Sequence, residues 1–384
     1  MRSKLRVLPY VVFLLPFDLL VAMAMFLCIA AGGLKKRLAT KGTKGEIGRR
    51  PHLSPFVPFV ANSPSSHPRC TIVIVSWDGR HLLAECLPSV IDAVQHDGGG
   101  HDVLVVDNGS KDGSVEFVHE KFPTVQTLAL DRNYGFSEGN NRGIAKATTD
   151  MVILLNNDMI VDQGFLSPLL NGFSDPSVFA VTSQIFFQDA TQRREETGKT
   201  RARFQDGAFY FWHDEIGPQD EHQDAIPVFW AGGGSCAIDR RKFLAIGGFD
   251  ELYYPFYVED TDLSYQAWKR GWKSLLAPGS RVVHKHRGTS KTRFGNDFVD
   301  NTIRRNQYLF IWKNITDLST ILEHLANLPR IHARAMIGKP GVIFEIRAYF
   351  RAVCRLPQAL QRRLASQAAY LLSDREVLAR SQKP

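Results

Sequence analysis

Cysteine is scarce in this 384-residue chain: Cys28, Cys70, Cys86, Cys236 and Cys354 are far apart, odd in number and never in C-x-x-C spacing. That excludes a disulfide framework and a cysteine zinc site, and it points to a reducing compartment. No G-x-x-x-x-G-K-[ST] loop follows the first β-rich run, which argues against an enzyme that takes nucleoside triphosphates. Acids are few at both ends. Residues 1–70 carry 11 Lys/Arg against 2 Asp/Glu and residues 328–384 carry 11 against 3, leaving 25 bases and 34 acids between them. The net charge of +8 therefore hides an acidic centre between basic flanks. With no clustered reader motif, this pattern excludes nucleic acid as the expected partner and favours a membrane surface.

Long apolar runs are limited to one. Val7–Leu34 holds a single formal charge, Asp18, and is flanked by Arg2, Lys4 and Arg6 and by Lys35, Lys36 and Arg37. At about 1.5 Å per residue it is ample for a roughly 30 Å hydrocarbon core. A mid-span Asp costs about 2.5–3.5 kcal/mol, so Leu19–Leu34 is the better span, with Asp18 near an interface; a re-entrant hairpin is the alternative. A cleavable leader competes, but the bases after the run resist translocation and place the following chain in the cytoplasm. Residues 38–69, rich in Gly, Pro, Ser and bases, read as a tether.

From Cys70 short apolar strands alternate with helical patterns. Thr71–Ser76, Val103–Asp107, Val125–Leu130 and Met151–Leu155 are strands, with helices expected at Leu82–Val94 and Val115–Phe122. Such an order predicts a parallel sheet covered on both faces, with ligands at the carboxyl ends of the strands. Those ends are polar: Ser76-Trp77-Asp78, Asp107-Asn108-Gly109 and Asn156-Asn157-Asp158. Turn and cap chemistry explains any one of them; three on one edge suit a nucleotide diphosphate and a hard cation. Glu259-Asp260-Thr261-Asp262 opens a further helix with more carboxylates than helix-dipole compensation needs.

In this order the motifs resemble those of the family 2 inverting nucleotide-sugar glycosyltransferases, rhamnosyltransferase-like, over about residues 70–314. The resemblance implies a GT-A fold: an α/β, Rossmann-like, nucleotide-binding mixed sheet flanked by helices. It implies donor-binding roles for Ser76, Asp78 (where the family usually has Asn), Asp107, Asn133, Gly135, Asn141, Asn156 and Gly233. Asn156-Asn157-Asp158 stands at the D-x-D metal position with Asn for the first acid, leaving Asp158, with His284, to hold Mg²⁺ or Mn²⁺. His284 is preferred to His286, and Lys285 or Arg287 would contact diphosphate. Asp260 is the implied general base, with Glu259 and Asp262 orienting the acceptor or tuning Asp260.

The expected organisation is a membrane anchor (1–37), a linker (38–69), a GT-A catalytic domain (70–300) and a basic helical tail (301–384). In the tail, Val342–Val353 is amphipathic, either an interfacial helix or a packing helix. Residues 187–226 read as a surface excursion, with a hairpin or flap as alternatives. The expected activity is metal-dependent, inverting transfer from a dTDP-rhamnose-like or UDP-sugar donor to a glycan or polyprenyl-diphosphate-linked acceptor, in the synthesis of cell-surface polysaccharide. The alternative, prompted by Asn156, is a catalytically silent nucleotide-sugar-binding or assembly protein.

Overall fold

The computed structural model describes residues 2–42, 68–98, 100–187, 197–284, 294–337 and 341–382. Four parallel strands lie in the order β3 (Gln126–Ala129), β2 (Asp102–Asp107), β1 (Cys70–Ser76) and β4 (Met151–Asn156). Between them run α2 (Arg80–His96), α3 (Ser114–Lys121) and α4 (Gly135–Lys146). The expected parallel half is thus present. β1 is apolar on both faces because both are covered: Ile72 and Ile74 meet Leu83 and Leu87 of α2, while Val73 packs with Ile144 of α4.

Beyond β4 the sheet becomes mixed. β10 (Ser235–Asp239) runs antiparallel to β4, followed by β6 (Val178–Phe186), β11 (Lys273–His284) and β5 (Met159–Val161). β9 (Ile226–Pro227) pairs with β11 off the main path. Where the sequence suggested a short strand at Ser274–Ala277, β11 continues to His284 past a register shift between Ala277 and Arg281. Helices α5 (Leu166–Asn171), α6 (Pro218–Glu221), α7 (Arg240–Ile246) and α8 (Glu259–Lys269) complete this half.

Residues 200–213 correct the expectation of a surface excursion. They form a hairpin, β7 (Thr200–Gln205) and β8 (Ala208–His213), and Phe209 is buried against Tyr265 of α8 and Phe310. The aromatic rings that made this stretch unusual in sequence are what seat it.

The C-terminal residues add α9 (Asn296–Asn314), α10 (Leu318–Ile337), α11 (Val342–Val353), α12 (Leu356–Ser366) and α13 (Asp374–Arg380). They close on α8 through buried ion pairs, Lys313–Asp262 at 2.6 Å and Lys269–Asp374 at 2.7 Å. The amino-terminal run is one continuous helix, α1 (Arg2–Gly42), passing Pro9 and Pro16, not a hairpin. Val7–Gly32 within it is long and apolar enough to cross a membrane. Asp18 is buried against the tail helices instead of lying at an interface: its Oδ1 accepts from Tyr349 Oη at 2.6 Å and lies 3.1 Å from His332 Nε2. His332 Nδ1 lies 2.9 Å from Glu345, so a polar chain offsets the charge that composition alone made costly. Most of the proposed linker, residues 43–67, lies outside the described residues.

Candidate functional site

The ends of β1 and β2 are tied into one polar ledge. The Lys111 amide donates to Asp78 Oδ1 at 2.8 Å, and the Asp78 amide donates to Ser110 Oγ at 2.9 Å. Asp78 holds a left-handed backbone (φ 48°), which Asp tolerates better than most residues. Asp107 is buried at the end of β2; one oxygen accepts from the Ser110 amide at 3.1 Å, while Oδ1 is buried without a protein hydrogen-bond partner. A buried, unsatisfied carboxylate oxygen costs about 1–3 kcal/mol or more, and a donor N–H or hydroxyl would relieve it.

The loop after β3 is held from within. Asn133 Oδ1 accepts from the Gly135 amide at 2.8 Å and from Asn108 Nδ2 at 3.1 Å. Asn108, which the sequence reading passed over, also accepts from the Tyr134 amide at 2.9 Å and donates to the Gly135 carbonyl. It is the clasp of this loop, and its only sequence signal was its place beside Asp107. Gly135 has φ 80°, and a Cβ there would stand 3.0 Å from the Tyr254 ring, so the donor loop touches the segment leading to Asp260. Asn141 is a correction: its amide donates to the Phe249 carbonyl at 3.0 Å and its oxygen accepts from the Phe249 amide at 2.9 Å. Both its polar atoms fix the Gly247–Phe249 turn and neither is left for a nucleotide.

Past β4, Asn157 donates to Ser76 Oγ at 2.9 Å, which turns that pair inward. Asp158 starts the short turn into β5, and β5 pairs with β11 so that Met159 lies opposite His284. This register brings Asp158 Oδ2 to 2.9 Å from His284 Nε2, across 126 residues of sequence. A carboxylate oxygen and an imidazole nitrogen, both largely buried, suit a divalent cation that takes its other positions from phosphates and water. Among the described residues no cluster of three or more His, Cys, Asp or Glu donors exists, so diphosphate oxygens would have to complete the set. Lys285, His286 and Arg287 lie outside the described residues.

The glycine-rich loop before β10 joins the two ends of the site. The Gly234 carbonyl accepts from the Asn156 amide at 2.8 Å, and the Gly233 amide donates to Asp260 Oδ2 at 3.2 Å. A Cβ on Gly234 would lie 2.8 Å from Asn156 Nδ2, so the close approach requires glycine. Asp260 Oδ1 also accepts from the Thr261 amide at 2.7 Å. Burial raises the Asp260 carboxyl above its ordinary value, while the bonds from Gly233 and Thr261 pull the other way. Burial and the adjacent Asp260 and Asp262 charges raise Glu259 well above its usual range, and its Oε2 has no partner. Glu259 is therefore a neutral acid at neutral pH.

Asp262 departs from the expectation that it faces the acceptor. It is buried on the other side of α8, accepting from Tyr253 Oη at 2.7 Å, Lys313 Nζ at 2.6 Å and Asn314 Nδ2 at 2.6 Å. Residues one and three positions apart on a helix are turned about 100° and 300° from the first, so one turn of acids cannot all face one cleft. Asp262 anchors the helix whose neighbouring residue reaches Gly233.

A mixed sheet with polar strand ends, bridged by a glycine loop to a buried carboxylate, places the chain among the GT-A glycosyltransferases. The family model "Glycosyl transferase family 2" matches residues 71–245. An N-acetylglucosaminyl-diphospho-decaprenol L-rhamnosyltransferase of Mycobacterium tuberculosis is 29% identical over 211 residues, 50% of this chain and 68% of that protein. A putative inactive polypeptide N-acetylgalactosaminyltransferase 11 of Drosophila melanogaster is 29% identical over 224 residues, 55% of this chain but 38% of that protein. Among solved structures, GalNAc-T7 with UDP, GalNAc and Mn²⁺ superposes with TM-score 0.54 at 18% identity, covering 76% of this chain and 56% of that one. TarS 1–349 of S. aureus with UDP-GlcNAc gives 0.50 at 10% identity, covering 78% and 89%. These two share the fold. The chain belongs to glycosyltransferase family 2 and is rhamnosyltransferase-like; the family match ends before α8, so Asp260 lies outside it.

Proposed function

We propose that the chain is an inverting glycosyltransferase, anchored in a membrane by Val7–Gly32 with residues 70–300 as its catalytic domain facing the cytoplasm. It moves a sugar from a nucleotide-diphosphate donor, dTDP-rhamnose-like or a UDP-sugar, to a polyprenyl-diphosphate-linked or glycan acceptor in surface polysaccharide synthesis. The observation that carries this reading is the Gly233–Gly234 loop, hydrogen-bonded at one end to Asn156 and at the other to Asp260. It fixes the proton acceptor relative to the strand ends that would hold the donor. The similarity to a rhamnosyltransferase whose name specifies a diphospho-decaprenol substrate supports the acceptor class.

In the proposed reaction the acceptor hydroxyl loses its proton to Asp260 as its oxygen bonds to the anomeric carbon. The bond from that carbon to the diphosphate breaks on the opposite face, and the nucleoside diphosphate leaves with inverted configuration at the sugar. Asp107 binds base or ribose through its unpartnered oxygen. Asp158 and His284 would hold the Mg²⁺ or Mn²⁺, which stabilises negative charge on the departing phosphate oxygens. Glu259, buried and neutral, holds off a second negative charge beside Asp260.

Nucleotide release from dTDP-rhamnose and UDP-sugars, with a polyprenyl-diphosphate-linked GlcNAc as acceptor, tests the reading. The product linkage assigned by NMR is expected to be inverted relative to the donor; a retained linkage, or no release with any donor, overturns it and favours a silent scaffold. Chelation with EDTA is expected to suppress transfer, and Mn²⁺ or Mg²⁺ to restore it; transfer indifferent to EDTA removes Asp158 and His284 as metal ligands.

The pH profile follows from the raised Asp260 carboxyl. The base acts ionised, so kcat/KM should rise with pH along an acid limb displaced above the ordinary aspartate value of about 4. Glu259 and Asp262 are the neighbouring acids, and only Glu259 shares the site. A limb at about 4 contradicts burial as the controlling influence.

A further inference from the structure

A groove of about 750 Å³ opens between the start of α9 and α11, within the size range of ligand sites. Phe294, Phe298, Ile343 and Phe344 supply its apolar wall, and Arg347 and Arg351 its cationic edge. Ile343 is 69% exposed, an unusual position for a large apolar side chain on a helix that packs elsewhere. Positions 343, 347 and 351 recur every four residues and so form one stripe of α11. The other face of α11 meets α1: Phe350 packs on Phe17 with centroids 4.6 Å apart, and Tyr349 donates to Asp18. One helix therefore separates the groove from the apolar segment that is long enough to span a bilayer.

The groove also abuts the chemistry. Phe256 packs on Phe294 at 5.4 Å and on Phe298 at 6.3 Å between centroids, and four residues later the same segment reaches Asp260.

The cationic edge is under-neutralised. Arg351 donates to Asn301 Oδ1 at 2.8 Å and its guanidinium lies 5.6 Å from the Phe298 centroid. Behind it Arg305, fully buried, and Arg355 both donate to the Tyr254 carbonyl, at 2.7 and 3.4 Å. The polar partners found for these three guanidiniums are amide oxygens and backbone carbonyls, with no carboxylate among them in the described residues. Burial first, then the charges of Arg355 and Arg351, push Arg305 down to about 9. Asp297 is the acid among the lining residues, set against two arginines. Three clustered cations beside an aromatic trough call for an anionic, apolar-tailed ligand.

We propose that this groove holds the acceptor lipid of the reaction: an isoprenoid chain against Phe294, Phe298, Ile343 and Phe344, with its diphosphate at Arg347 and Arg351. The inference rests on the glycosyltransfer reading and names where its acceptor binds.

Calorimetric titration of the full chain in detergent tests it with three probes: farnesyl diphosphate, inorganic pyrophosphate and farnesol. Farnesyl diphosphate is expected to bind about tenfold or more tighter than either fragment, because head and tail are held together. Ile343→Glu and Arg347→Gln, both at exposed positions, should each weaken it by about tenfold, equivalent to about 1.4 kcal/mol. Leu371→Glu, a surface change elsewhere, should not. Parity with pyrophosphate reveals a plain anion site, parity with farnesol a plain apolar one, and wild-type binding by both groove variants a ligand seated elsewhere; each outcome overturns the proposal. Nucleotide release from donor is scored separately. Its absence while farnesyl diphosphate binds sinks the glycosyltransfer reading alone, and release without farnesyl diphosphate binding sinks the groove alone.

Discussion

Asp260→Asn is expected to lower the turnover number by about 10²- to 10⁴-fold, the range that a positioned general base contributes. The substitution is close to isosteric. An amide oxygen still accepts from the Gly233 and Thr261 amides, so the loop that joins Asp260 to the strand ends is preserved. What disappears is the capacity to take a proton. Binding of the nucleoside diphosphate, measured by calorimetry, should change by less than about threefold, since it depends on the ledge at Asp78 and Asp107. Glu259→Gln should cost less than Asp260→Asn, because Glu259 is already held neutral by burial and has no charge to lose. Turnover that survives Asp260→Asn removes Asp260 as the base; a joint loss of turnover and nucleotide affinity shows instead that the glycine loop has moved.

The sequence was most informative where local pattern and global placement coincide. Runs such as Val103–Asp107 are apolar at consecutive positions, which only a strand covered on both faces tolerates, so the parallel half and its polar edge were readable. The pairing of Asp158 with His284 was also anticipated, though by resemblance; the register of β5 on β11 that creates it is a non-local property. Asn141 and Asp262 were misplaced for a common reason. Asn next to a glycine loop and Asp in a helix's first turn look the same whether they face a ligand or a distant backbone. Their partners, Phe249 and Lys313, lie 108 and 51 residues away. The hairpin at 200–213 was missed because its apolar face is completed only by α8 and α9. Asp18 looked costly in an isolated span, and its partners lie more than 300 residues downstream.

Lys313→Met is expected to destabilise the fold by about 3–5 kcal/mol, the range for removing one partner of a buried ion pair. Lys313 Nζ lies 2.6 Å from Asp262 Oδ2 and 2.7 Å from Asp250 Oδ2, and all three side chains are nearly inaccessible. Methionine matches the stem but leaves two carboxylates with one remaining cation, Arg362, at 3.5 Å from Asp250. Burial alone would raise the Asp250 carboxyl; the Lys313 charge and hydrogen bond outweigh it and hold Asp250 below its ordinary value. A carboxylate depressed in the folded state contributes stability above its unfolded pKa and loses it as pH falls through the folded value. Wild-type stability should therefore decline on acidification below about 4, and Lys313→Met should show less of this decline. Urea unfolding in detergent at neutral and acid pH measures both effects. Adding Asp262→Asn to Lys313→Met should recover part of the loss, because it removes one of the stranded charges. A cost below about 1 kcal/mol would mean that water reaches the pair and that it counts as a surface contact. Lys313 belongs to α9 and Asp262 to the first turn of α8, two residues from Asp260. Loosening this pair should therefore also lower turnover in the fraction that remains folded, which ties the carboxy-terminal helices to the position of the base.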